Sequence, residues 1–178
     1  MGAGAPTGYR RRRMPTRHEL SRQWGMTSFV PDDFVPPAGR DHPAFRLRPL
    51  GPEHNESDYA AWSSSQQHIR STPGWQGLSW PREMTPEENL ADLQRHSADF
   101  AARTGFTYTV LAAGVGSPEV IGCVYIYPSE TPGYDAKVAS WVRVEDAGLD
   151  AVLYRAVRDW LREAWPFRRI EYASRAGA

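Results

Sequence analysis

The segment from Val120 to Ala164 limits what this chain can fold into more than any other part of it. It opens with VIGCVYIY, an almost unbroken apolar run, continues through AKVASWVRV and closes on LDAVLYRAVRDWLREA. In the last piece Leu149, Val152, Leu153, Ala156, Val157, Trp160, Leu161 and Ala164 recur at intervals of three and four, the period of an amphipathic helix. The two preceding pieces read as strands. Strands apolar on both faces need cover on both sides, and the following helix supplies one cover.

The chain has 178 residues and 40% hydrophobic content, enough for one substantial core and one domain. Lys plus Arg and Asp plus Glu balance at 21 each, so no overall field points to nucleic acid or an anionic membrane as partner. The single cysteine, Cys123, lies in the most apolar strand and reads as a packing residue. One cysteine excludes an internal disulfide framework, and a reducing, cytoplasmic setting is expected. No apolar run has the length of a transmembrane helix. The five histidines show no compact zinc-ligand spacing, so no metal site is expected.

Residues 1–41 are rich in Gly, Pro, Thr and Arg, with four arginines together at Arg10 to Arg13, and read as a flexible basic leader. Trp24, Phe29, Val30, Phe34 and Val35 are the residues by which such a leader could pack on a domain spanning 42–178. FRLRPL from Phe45 to Leu50 alternates as a first strand, and a helix is predicted from about Ser57 to Ile69, weakened by Ser63 to Ser65. A long connection then carries Trp75 and Trp80, exposed aromatic candidates for a lid or a ligand wall. The next helix has a clear entry: Thr85 as cap, Pro86 at the first position and Glu88 as reciprocal partner, with Gly105 placed to end it. His96 on that helix has no partner evident in the sequence. Strands follow at Phe106 to Ala112, Val120 to Tyr127 and about Lys137 to Val144, the first two as an antiparallel hairpin. After the long helix a last strand is predicted from Arg169 to Ala173, parallel to its neighbour because a helix joins the two.

The order β-α-α-β-β-β-α-β, with FRLRPLGPEHNESDYAAW at its opening, TPEENLADLQRHSADF at its second helix and WVRVEDAGLDAVLYRAVRDWL near its end, resembles the GCN5-related N-acetyltransferase (GNAT) superfamily over about Phe45 to Ala173. The resemblance implies an α+β fold: a mixed, mainly antiparallel sheet with helices on both faces. It also implies acetyl-CoA as cofactor and transfer of its acetyl group to an amine by direct attack. The family's phosphate loop has Gln or Arg, two residues, Gly, one residue, then Gly or Ala. Here Gly148 matches the central Gly, Glu145 stands at the Gln or Arg position and Asp150 at the final small position. Exposed amides at a helix start favour a pyrophosphate, whereas Asp150, Glu145 and Asp146 repel one. Arg143 is the nearby cation that could compensate.

On this reading Val142, Arg143, Val144 and Gly148 are the cofactor-side candidates, with the backbone amides of Val142 to Val144 polarising the thioester. Trp75, Trp80, Tyr125 and Tyr127 are acceptor-side candidates, and Glu145, Asp135 and Tyr134 are candidates for proton transfer. The acceptor is a small-molecule or peptide amine, and a homodimer could cover a sheet edge. The competing expectation is a noncatalytic acetyltransferase-like interaction or structural protein, suggested by the acidic replacements in the loop.

Overall fold

The computed structural model describes residues 28–114 and 119–176. The Arg10 to Arg13 cluster and Trp24 lie outside the described residues. Six strands form one sheet in chain order: β1 (Arg40–His42), β2 (Phe45–Pro49), β3 (Phe106–Ala112), β4 (Val120–Pro128), β5 (Ala136–Val142) and β6 (Ile170–Tyr172). All neighbours are antiparallel except β5 and β6, which are parallel. Helices α1 (Asn55–Ser63), α2 (Gln66–Ser71) and α3 (Pro86–Ala102) lie between β2 and β3, and α4 (Asp150–Ala164) crosses from β5 to β6. The mixed α+β sheet expected from the sequence is therefore present, with the parallel pair where the crossover helix put it.

Alternation along the central strands builds two cores. One face carries Phe106, Tyr108, Val110, Val124, Ile126 and Val138 against Leu153, Val157, Trp160 and Leu161 of α4. The other carries Leu111, Cys123 and Trp141 against Trp62 of α1 and Leu93 of α3. Fully burying side chains of this size stabilises by about 1.5–3 kcal/mol each, which is why the long apolar strands need cover on both sides. The β3–β4 register slips between Val110 and Leu111, where Ile121 is the extra residue. The bulge shifts the alternation by one, so that Ile121 joins Val124 in the first core and Val120 joins Cys123 in the second. Beside it, a Cβ on Gly122 would fall 2.2 Å from the carbonyl oxygen of Trp141, so β5 can lie this close only to a glycine.

Local chemistry sets the helix ends. The Thr85 hydroxyl accepts the Glu88 amide at 3.2 Å, and the Glu88 carboxylate accepts the Thr85 amide at 2.8 Å, which completes the expected capping box. The far end of α3 differs from expectation. Arg103 takes the left-handed cap position (φ 62°), while Gly105 makes room for Tyr127, whose ring would lie 2.2 Å from a Cβ there. The helix predicted over Ser57 to Ile69 is broken in two at Ser64 and Ser65. The Ser64 hydroxyl turns back to the Ala60 carbonyl at 2.8 Å, and the Ser65 hydroxyl accepts the Val144 amide at 3.0 Å. Serine side chains here compete with the helix ladder.

The chain ahead of β2 contributes to the first core. Val30 is buried, and the Phe29 ring stacks on Phe106 and Phe167 at 5.8 and 5.1 Å. Tyr108 donates its hydroxyl to the Pro37 carbonyl at 2.7 Å, and Arg40 of β1 pairs with Glu163 of α4 at 2.8 Å. The boundary expected at Asp41 thus falls inside β1.

Candidate functional site

The parallel strands β5 and β6 pair at only three positions: Ala136 with Ile170, Lys137 with Glu171 and Val138 with Tyr172. Beyond them β6 ends while β5 runs on to Val142 paired with β4 only, which leaves a fork between β5 and the chain after Tyr172 toward the start of α4. At the crotch the Ser140 and Tyr172 hydroxyls are 2.5 Å apart. Burial raises the Tyr172 phenol well above its ordinary range, so it stays protonated.

Arg175 occupies the fork. Its side chain is only 3% exposed, and its Nε donates to Asp150 Oδ2 at 2.6 Å. Its terminal nitrogens donate to the carbonyls of Ser140 (3.1 Å), Pro73 (3.0 Å) and Ala173 (2.7 Å) and to the Ser140 hydroxyl (3.3 Å). The rings of Tyr172 and Tyr154 flank the guanidinium at 5.7 and 5.8 Å. The Ser140 carbonyl also accepts Trp75 Nε1 at 2.8 Å. Asp150 is the first residue of α4; its Oδ1 is buried with no hydrogen-bond partner among the described residues.

The cofactor-side candidates come together just beyond this point, with the Arg143 side chain and the Val144 amide already engaged. Arg143 binds Glu119 at 2.5 Å and Asp146 at 2.6 Å, with Glu145 at 4.0 Å, and these carboxylates hold its guanidinium fully charged. The Arg143 amide donates to the Ile121 carbonyl at 2.8 Å, so by the alternation of an antiparallel pair the Val142 amide faces the fork. The Val144 amide goes to Ser65. Val144–Leu149 is a 3-10 turn, and Gly148 stands in it with open space where a side chain would be. The cation beside Asp150 is therefore Arg175 and not Arg143.

Among the proton-transfer candidates, Glu145 is exposed at the turn. Asp135 accepts the amides of Arg168 and Arg169 at 2.7 and 2.8 Å, donors that hold its carboxyl below the usual range. Tyr134 lies under the Arg169 guanidinium at 4.6 Å and lines a cavity of about 370 Å³ with Gly74, Lys137, Ala139 and Glu171. Glu171 accepts the hydroxyls of Ser129 and Thr131 at 2.9 and 3.1 Å.

The acceptor-side candidates separate into two groups. Trp75, Trp80 and Tyr125 belong to one aromatic wall, with ring centroids 5.0 Å (Trp75–Trp80) and 5.7 Å (Trp75–Tyr125) apart. Trp75, expected to be exposed as a lid or part of a ligand wall, is buried instead, with its indole nitrogen spent on β5. Tyr127 belongs with α3: its hydroxyl donates to Asp99 at 3.0 Å and lies 2.7 Å from His96 Nδ1. His96, partnerless in the sequence, also has the Thr107 hydroxyl at 3.1 Å, and burial pulls its pKa down to about 4. Sequence reasoning did not find Arg175, nor the buried set in which Asp58 accepts from Asn89 (3.1 Å) and Cys123 (3.5 Å). The acid at Asp150 was the available signal for the first, since a buried carboxylate calls for a cation.

The sheet order, the single parallel pair and its fork before a crossover helix define the fold of the GCN5-related acetyltransferases. Among solved structures, the chain is similar to the ribosomal-protein-S5-alanine acetyltransferase from Vibrio fischeri, with a TM-score of 0.59 and 17% identity over 76% of this chain and 73% of that one. It is similar also to a probable acetyltransferase (TM-score 0.60, 14% identity, 79% and 76% covered) and to Mycobacterium smegmatis RimJ in complex with CoA-disulfide (0.55, 18%, 75% and 63%). At these identities the likeness is one of fold. No protein-family model and no curated protein matches the sequence. Among the described residues, no helix is long and apolar enough to cross a membrane.

Proposed function

We propose that this protein is an acyl-CoA-dependent N-acetyltransferase that transfers acetyl to a small-molecule or peptide amine. The observation that carries the reading is the β5–β6 fork: the parallel pairing ends at Val138 and Tyr172, and β5 runs on without a strand partner on that side, leading to a helix start. Such an edge can offer backbone groups to an extended ligand, and here the Val142 amide is the one that faces the fork. On this reading Val142, Val144 and Gly148 stand on the cofactor side, and Arg143 braces the turn. The cavity between Tyr134, Lys137 and Glu171 takes the acceptor, with Trp75, Trp80 and Tyr125 as its neighbouring wall.

As they stand, the residues of the fork do not fit a CoA diphosphate. Arg175 fills the gap, and Asp150 places a carboxylate at the helix start. That same observation favours a second reading, a noncatalytic acetyltransferase-fold interaction protein. Calorimetric titration with acetyl-CoA and CoA, followed by amine-dependent release of free thiol, separates the two. Saturable binding near one ligand per chain with thiol release supports the enzyme. Absence of binding across a millimolar range, in folded protein and in the fork variants described below, leaves the noncatalytic reading. The outer edge of β6 carries no further strand among the described residues, and a homodimer formed there is part of the proposal. A monodisperse monomer at high concentration would count against it.

A further inference from the structure

We infer that Arg175 is a latch that holds the fork shut, so that ligand access to it is regulated from within the chain. The inference rests on the reading of the fork as a cofactor cleft.

The guanidinium joins three elements through one side chain. It bonds to Asp150 at the start of α4, to Ser140 on β5 and to Pro73 in the segment after α2. The groups it binds lie where an entering ligand would run. Ser140 presents the carbonyl at the crotch of the fork, and Asp150 sits where the anionic end of a ligand would meet the helix start. Arg175 reaches this position three residues past the end of β6, so a short stretch of backbone brings it in and can withdraw it.

The closure is also poised to open. Asp150 Oδ1 is buried with no partner among the described residues, so the pair satisfies only half of the carboxylate. A buried ion pair gains little net stability over its separated, hydrated partners, so other interactions can displace it.

The charge balance decides which variants are informative. Removing Arg175 alone strands Asp150 as an unpaired, half-buried acid that repels an anion. Removing both opens the fork without that penalty. CoA affinity is measured by calorimetry for the natural protein, Arg175→Ala and the double variant Arg175→Ala/Asp150→Ala, each checked for folding by circular dichroism. Arg175→Gln/Asp150→Asn serves as a milder pair if the alanines unfold. The double variant is expected to bind CoA at least tenfold more tightly than the natural protein, and Arg175→Ala is expected not to. Equal affinity of the natural protein and the double variant overturns the latch while leaving the cofactor reading standing.

A second readout needs no ligand. Trypsin cleaves after arginine, and Arg175 is shielded while latched. Asp150→Ala is expected to speed release of the residues beyond Arg175 at least tenfold, as followed by intact mass. An unchanged rate overturns the latch whatever CoA does. A faster rate together with no CoA binding by any variant supports a latch that guards the fork against something other than CoA, and it removes the cofactor reading alone.

Discussion

Cys123 and Asp58 meet where α1 crosses β4, the sulfur 3.5 Å from Oδ1, while Asn89 donates to the other carboxylate oxygen at 3.1 Å. Asp58 is 4% exposed, and burial pushes its pKa up from 3.8 to about 6 against the hydrogen bonds that lower it. The folded state therefore favours the protonated acid. The group's contribution is present in full below about pH 3.8 and is lost as pH rises through about 6. Relative to Asp58→Asn, which keeps an acceptor for Asn89, the natural protein should lose roughly 3 kcal/mol between those limits. Urea denaturation of both proteins across this range checks it; an offset that does not vary with pH would show that the carboxyl is not held protonated.

His96 acts in the opposite direction. Burial first, and then the neighbouring Arg95, lower its pKa from 6.5 to about 4 against the pull of Asp92 and Asp99; Thr107 and Tyr127 face its Nδ1. Its contribution is present above about pH 6.5 and is lost as pH falls through about 4. His96→Gln should therefore be less sensitive to acid over that interval. An imidazole proton shift in NMR that moves near pH 6.5 would contradict the assignment.

Gly105→Ala should destabilise the fold by about 1–3 kcal/mol, because a Cβ would stand 2.2 Å from Cε1 of Tyr127 and that ring is held by His96 and Asp99. Tyr127→Ala should cancel much of the penalty in a double-mutant cycle. Additive losses would show that the two residues do not meet.

Arg143→Ala should change CoA affinity less than twofold, since its guanidinium is spent on Glu119 and Asp146. It should cost about 1 kcal/mol of stability by releasing the turn from the start of β4. Titration and thermal melts together check this. A tenfold loss of affinity at unchanged stability would return the cation to the cofactor.

Patterns of short range were legible in the chain. The period of the helix ending at Ala164 and the Thr85–Glu88 capping box announced two helices, and the apolar run at Val120 announced a strand covered on both faces. The α+β order followed from them. The fork's occupant was not legible, because Arg175 meets Asp150 across 25 residues and no local pattern encodes that pairing. Arg143, the cation nearest in sequence to the acidic turn, is drawn instead to Glu119, 24 residues away across the β4–β5 pair. The serines at 63–65 signalled a weak helix, but their use, with Ser65 accepting the Val144 amide, depends on a partner 79 residues on. His96 is a similar case, since its partners come from β3 and β4.

The Phe106–Phe29–Phe167 stack gives the chain ahead of β2 a second importance. A stretch that composition assigns to a leader supplies the middle layer of a three-ring sandwich, and Arg103 and Tyr108 fasten it by the carbonyls of Pro31 and Pro37. A protein begun at Phe45 would keep every long strand and helix yet open one end of its core to water. Cleavage between 37 and 40 would turn a covalent part of that core into a detachable peptide ligand, whose hold includes the Phe29 stack and the hydrogen bonds to the Pro31 and Pro37 carbonyls.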